Sequence, residues 1–371
     1  MRQGGGKRKS AAGQLAVCNV WPPLVIKERL MLRSRLPLAA AVLSILSIAA
    51  NPFSAVAADQ SAAKRSSMLS GVKSWHYQLQ RADVDQLAAS PADLLVIDFG
   101  IGWPQRPLQR TEVARLKAKP GGERRIVLAY LSIGEAEEYR FYWQAAWNEK
   151  RPAFLVGENC SWPRNHLVRF WHDDWKAVVM TGRDSYLQRI QDAGFDGVYL
   201  DLVAAYEPLQ NERPDARAAM ISFVSELAAT ARRLQPGFLV VPQNADELLG
   251  DAKYRQAIDG IGRESLVFRA EKGRRPPEKV RASVERLQVL RAAGKPVLVV
   301  EYVDTREHAA AAREIAAQHR FVPLIATRAL DGRDPLAPKP AMKVATIAAP
   351  SSLSPPAAKT AQVPERPCMS Y

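Results

Sequence analysis

Six apolar runs in this chain end in the same way, and that repetition narrows the possible folds more than any other feature. "LLVIDFG" (94–100) runs into Asp98 and "IVLAYLSIGE" (126–135) into Ser132 and Glu135. "GVYLDL" (197–202) meets Asp201, "LVVPQN" (239–244) meets Gln243 and Asn244, "IGRE" (261–264) meets Glu264, and "VLVVEY" (297–302) meets Glu301 and Tyr302. Runs of Val, Leu, Ile and Tyr without polar alternation belong to strands covered on both faces, which means a parallel sheet beneath helices. Amphipathic segments such as "RTEVARLKA", "RDSYLQRIQDAG" and "ARAAMISFVSELAATARRL" separate them. Alternating strand and helix with right-handed crossovers predicts an α/β fold, a (β/α)8 TIM-type barrel. "SWHYQL" (74–79), "HLVRFW" (166–171) and "FVPLIAT" (321–327) bring the strand candidates to nine. That is one too many, so "HLVRFW" or "FVPLIAT" is expected to be an accessory strand. An open doubly wound sheet is the alternative, but no G-x-G-x-x-G follows any run, so a dinucleotide cofactor is not expected.

The two ends of the chain have a different character. Residues 31–58, "MLRSRLPLAAAVLSILSIAANPFSAVAA", show arginines, an apolar run and an A-x-A-like site at Ala55-Val56-Ala57, the pattern of a secretory signal peptide. Met31 then reads as the start, and residues 1–30 as an upstream extension. The apolar stretch is broken at Asn51-Pro52 and short for a bilayer span, and no cysteine follows it as a lipid anchor would need. An exported protein, periplasmic or extracellular and without a lasting membrane anchor, is expected. Residues 334–371 are rich in Pro, Ala and Ser and should be disordered. The expected barrel is therefore 70–333.

Charge and metal-ligand patterns exclude several functions. The formal net charge of +14 includes eight Lys or Arg and one Glu in residues 1–58, so the trimmed chain carries +7. Its basic residues are spread over helical segments rather than set in a stripe with aromatics, which argues against nucleic acid as a partner. The five histidines form no H-x-x-x-H or H-x-H pattern, so no metal is expected. Cys160 and Cys368 remain after the leader; a disulfide is possible but not required.

In a barrel, the C-terminal ends of the strands converge on one face, where active sites are built. Asp98, Ser132 with Glu135, Asp201, Gln243 with Asn244, Glu264, and Glu301 with Tyr302 would all meet there. Helix capping accounts for one or two such residues but not for six strands. Paired carboxylates without a metal or cofactor signature point to glycoside hydrolysis, which needs one protonated acid and one ionised nucleophile or base. Seven of the eight tryptophans lie between Trp75 and Trp175, and such rings either stack on sugars or pack barrel helices. Trp75, Tyr77 and Tyr130 are candidate sugar contacts.

Taken in order, "WHYQL", "LLVIDFG", "YLSIGEAEEYR", "GFDGVYLDLVAAYE", "VVPQNADEL", "IDGIGRESL", "VLVVEYVD" and "FVPLIATRALD" resemble the endo-α-1,4-polygalactosaminidase family, from about Trp75 to Asp331. The resemblance implies a secreted barrel that cleaves α-1,4-linked galactosamine polymers. It places the catalytic carboxylates after strands five and seven, here Asp201 and Glu264. The candidate polysaccharide contacts are Glu135, Asp98, Tyr130, Ser132, Gln243, Asn244, Tyr302, Trp75 and Tyr77. After Asp201 the chain departs from the family, with Leu202-Val203-Ala204 in place of a further acid and small polar residues. A non-catalytic carbohydrate-binding barrel, or a glycosidase for another polysaccharide, therefore stays open. Strands two apart lie about 9 to 10 Å from each other, a span that inward side chains can close. Asp201 is expected as nucleophile or base and Glu264 as general acid, its proton held by burial. Glu135 is the alternative partner. Nine carboxylates, Glu135, Glu137, Glu138, Asp201, Glu207, Asp246, Glu247, Glu264 and Glu301, are expected to border one acidic face.

Overall fold

The computed structural model describes residues 52–102, 105–269, 273–337 and 368–369. Eight of its strands carry the architecture: β1 (Trp75–Gln78), β2 (Leu94–Ile97), β3 (Ile126–Ser132), β4 (Gly197–Asp201), β5 (Leu239–Pro242), β6 (Ile261–Glu264), β7 (Val297–Glu301) and β8 (Val322–Ile325). β1 to β5 form one sheet in chain order and β6 to β8 a second, and every neighbouring pair within them is parallel. The parallel bridge Gln243–Gly262 joins the two sheets. At the opposite seam Trp75 Nε1 donates to the Val322 carbonyl at 3.1 Å, linking β1 to β8. Eight parallel strands in sequential order give the α/β, TIM-type arrangement.

Burial on both faces explains why the runs lack polar alternation. Trp75, Tyr77, Leu94, Val96, Leu128, Tyr130, Tyr199, Val241, Leu298, Val300 and Tyr302 form one buried interior cluster. The residues between them, among them Leu95, Ile97, Val127, Ala129, Val198, Leu200, Val240 and Val299, join a larger cluster under the helices. Each such side chain contributes about 1.5 to 3 kcal/mol by leaving water. Helix Ala216–Leu234 shows the matching stripe, burying Met220, Phe223, Val224, Leu227, Ala228 and Ala231 at three- and four-residue spacing. Helix Pro52–Ser70 adds Leu69 to the interior cluster, and its Arg65 pairs with Asp259 at 2.9 Å.

The ninth strand candidate falls outside the ring. Trp162–Val168, which contains the start of "HLVRFW", pairs antiparallel with Leu155–Asn159 and with Glu135–Glu137 in a side sheet inserted between β3 and β4. "FVPLIAT" therefore supplies β8, and Asp201 and Glu264 end the fourth and sixth barrel strands rather than the fifth and seventh. Two residues of the tail expected to be disordered, Cys368–Met369, pair with Glu158 and Asn159 at the edge of that side sheet. Cys160 is disulfide-bonded. Residues 1–51, with most of the expected leader, and 338–367 lie outside the described residues, and helix Pro52–Ser70 runs across the expected cleavage point. No helix among the described residues is long and apolar enough to cross a membrane.

Candidate active site

Asp201 and Glu264 are the last residues of their strands, so the ladder fixes their backbones while their side chains reach the open end of the ring. Asp201 Oδ1 accepts from the Leu202 amide at 2.7 Å and from Gln243 Nε2 at 2.9 Å, and its Oδ2 accepts from the Tyr130 hydroxyl at 2.8 Å. Glu264 Oε2 accepts from Asn244 Nδ2 at 2.9 Å, and its Oε1 accepts from the Tyr302 hydroxyl. Asn244 also turns its Oδ1 to the Glu264 amide at 3.1 Å and to Arg263 at 3.0 Å. Gln243 and Asn244, adjacent on the end of β5, thus each hold one carboxylate. Six expected residues, Tyr130 on β3, Asp201 on β4, Gln243 and Asn244 after β5, Glu264 on β6 and Tyr302 after β7, meet in one constellation.

Burial, and next the charge of Glu264, push the Asp201 carboxyl up to about 7. A negative charge on Asp201 is therefore costly, and its carboxyl is partly protonated near neutrality. The sequence expectation put that proton on Glu264; the structure raises Asp201. Burial, with Asp201 next, holds the Tyr130 phenol far above its ordinary range, and burial with Glu264 does the same for Tyr302. Both hydroxyls therefore remain donors to the pair.

Backbone strain concentrates at the same strand ends. Leu202 (φ 59°), Asn244 (61°), Ala245 (51°) and Ser265 (50°) are left-handed without being glycine, a conformation that persists only where surroundings impose it. Below the pair, a Cβ on Gly262 would lie 1.8 Å from the Tyr199 hydroxyl. Only glycine lets that fully buried ring cross the interior toward β6. The Tyr199 hydroxyl and Gln243 Oε1 are buried without a hydrogen-bond partner among the described residues.

Several expected contacts serve the frame. Trp75 and Tyr77 stack in the interior at 5.9 Å. Ser132 closes the turn after β3, donating to the Glu135 carbonyl at 3.0 Å. Asp98 pairs with Arg140 at 2.7 Å and accepts from Gln105 at 2.7 Å. Glu135, 1% exposed, accepts from Asn159 at 2.7 Å and from Asn165 at 3.3 Å, tying the side sheet to the barrel rim. It adds to the negative field on Asp201.

Of the nine carboxylates expected to border one acidic face, four are ion-paired. Glu137 pairs with Arg140 at 2.6 Å, Glu138 with His166 and Arg164, and Asp246 and Glu247 with Arg286. Glu301 is buried against the Val267 and Phe268 amides at 2.6 and 3.0 Å, and burial pushes it up to about 7. Asp201, Glu207 and Glu264 form no ion pair with a basic side chain among the described residues. Arg140, buried between Asp98 and Glu137, was missed in sequence, where "EEYR" gives no sign that its arginine turns inward. A cavity of about 610 Å3 lies elsewhere, between helices Pro277–Ala292 and Arg306–Gln318, and its lining holds one carboxylate, Glu285, instead of a pair.

A parallel barrel whose strand ends present two acids, one of them raised by burial and each oriented by a tyrosine and an amide, is the construction of a glycoside hydrolase. Comparison with known proteins narrows the class. The model of glycoside hydrolase family GH114, the endo-α-1,4-polygalactosaminidase family, matches residues 55–339, and the chain belongs to that family. An uncharacterized protein of Deinococcus radiodurans is 37% identical over 272 residues, covering 71% of this chain and 83% of that one. An uncharacterized protein of Thermotoga maritima is 34% identical over 236 residues, 62% and 71% of the two chains. Among solved structures, the glycoside hydrolase domain of PelA from Pseudomonas aeruginosa superposes with a TM-score of 0.54 at 22% identity, over 70% of this chain and 97% of that domain. That likeness confirms the fold.

Proposed function

We propose that this protein is an exported glycoside hydrolase that cleaves α-1,4-linked galactosamine polymers with Asp201 and Glu264. The observation that carries this reading is the pair itself: two carboxylates, on barrel strands two apart, with one raised to about 7 by burial and by the other's charge. Asp201 holds the proton near neutral pH and donates it to the leaving glycosidic oxygen. Glu264, oriented by the Tyr302 hydroxyl and the Asn244 amide, is the nucleophile or base. This reverses the roles expected from sequence, because burial raises the Asp201 carboxyl. Leu202, at the departure from the family pattern, donates its amide to Asp201, so the substitution leaves the carboxylate supported. Asp201, Glu207 and Glu264, unpaired with any described basic group, suit a substrate bearing ammonium groups. A disulfide at Cys160 and the leader of residues 31–58 both support export.

The test is product analysis by mass spectrometry after incubation with α-1,4-galactosaminan, deacetylated or fully acetylated, and with a β-linked glucosamine polymer. Oligomers from the deacetylated galactosamine polymer, at a rate that falls with ionic strength, are expected. Oligomers from the β-linked polymer alone would overturn the substrate assignment.

A further inference from the structure

The side sheet carries an aromatic surface that the carboxylate chemistry does not use. Trp162 opens the second strand of the hairpin Leu155–Asn159 and Trp162–Val168, and its residue is 50% exposed. The far end of that strand is anchored where β3 leaves the barrel, with Glu135, Ala136 and Glu137 opposite Leu167, His166 and Asn165. At the tip, the Arg328 guanidinium stands over the Trp162 ring at 5.7 Å, and Arg328 lies three residues beyond β8. The hairpin thus starts where β3 leaves the barrel, and its tip lies beside the loop after β8. The tip is held in place: Cys160 is disulfide-bonded, the Ser161 amide donates to Asn159 Oδ1 at 2.9 Å, and Asn159 holds Glu135.

Resting on the reading above, we infer that Trp162 and Arg328 form a rim subsite that takes an uncharged, N-acetylated hexosamine of the polymer. A flat, half-exposed indole fits the C–H face of a pyranose ring, and a rigid tip keeps it presented at low entropic cost. The charge beside it sets the choice. Arg328 makes no ion pair among the described residues, so its guanidinium repels a glucosaminyl or galactosaminyl ammonium while it can donate to an acetamido carbonyl. The cleft would thus be mixed, with ionisable acids at Asp201 and Glu264 and a cationic aromatic shelf on the rim. The preferred substrate is then a partly acetylated chain.

Calorimetry with the non-hydrolysing Asp201→Asn protein tests this, using α-1,4-galactosamine oligomers that are fully acetylated, partly acetylated or fully deacetylated. The partly acetylated oligomer is expected to bind best. Adding Trp162→Ala should weaken its binding about tenfold, whereas Trp162→Phe keeps most of the affinity. Arg328→Glu, which leaves the ring in place, should shift preference severalfold toward the deacetylated oligomer. If the parent binds these oligomers and neither Trp162→Ala nor Arg328→Glu changes affinity or preference, the subsite is wrong while the substrate reading stands. If the parent binds none of the three, both fall together.

Discussion

Replacing Asp201 with asparagine should stabilise the protein at alkaline pH while abolishing its chemistry. The asparagine keeps an amide oxygen for the Leu202 amide and for Gln243, and offers its NH2 to the Tyr130 hydroxyl, which can accept as well as donate. What it removes is a charge that the fold disfavours. The Asp201 carboxyl rises from 3.8 to about 7 on folding. Between those values the native state binds more protons than the unfolded chain, so wild-type stability falls as pH rises through the interval and levels off above about 7. That rise of the Asp201 carboxyl corresponds to about 4 kcal/mol. Asp201 keeps some solvent access at the mouth, and screening there reduces the effect to about 2 to 4 kcal/mol. Urea unfolding of both proteins at pH 4.5, 6 and 8 measures this. The advantage of the variant should be small at pH 4.5 and grow toward pH 8. A difference that stays constant with pH, or a wild type that gains on the variant as pH rises, would refute the account of a carboxyl held up by burial.

Glu301→Gln should flatten a second part of the same pH dependence, because burial raises Glu301 in the same direction and to about 7; the Asp201→Asn, Glu301→Gln double variant should show the flattest profile. Gly262→Ala should cost about 1 to 3 kcal/mol or more by overpacking against Tyr199. Tyr199→Phe, which removes the nearest atom, should return part of that loss in a thermal melt. Arg140→Met leaves Asp98 and Glu137 buried without their cation and should cost about 3 to 5 kcal/mol, read by urea unfolding at pH 7.

The barrel was legible because its strands are buried on both faces, and the resulting apolar runs each stop at a polar residue facing the open end. Asp201, Glu264, Gln243, Asn244 and Tyr302 could be named for that reason. The long insertion between β3 and β4 was not legible as such, since "HLVRFW" has the composition of a barrel strand and only its antiparallel partners reveal that it is not one. Which acids remain free was equally hidden. Glu137, Asp246 and Glu301 are neutralised or buried by Arg140, Arg286 and the Val267 and Phe268 amides, contacts between residues three to forty positions apart. The left-handed backbone at Leu202, Asn244, Ala245 and Ser265 left no sign, because none of these residues is glycine. Trp162 belonged to a visible concentration of tryptophans, yet sequence could not separate a ring buried in the interior, such as Trp75, from one left exposed on the rim.

The most direct test of the central claim is the release of reducing ends from deacetylated α-1,4-galactosaminan by wild type, Asp201→Asn and Glu264→Gln under identical conditions, with folding verified for each. The account predicts measurable turnover by wild type and a loss of at least about a hundredfold in each variant. Turnover at the wild-type rate in both variants would contradict the assignment of Asp201 and Glu264 as the reacting pair.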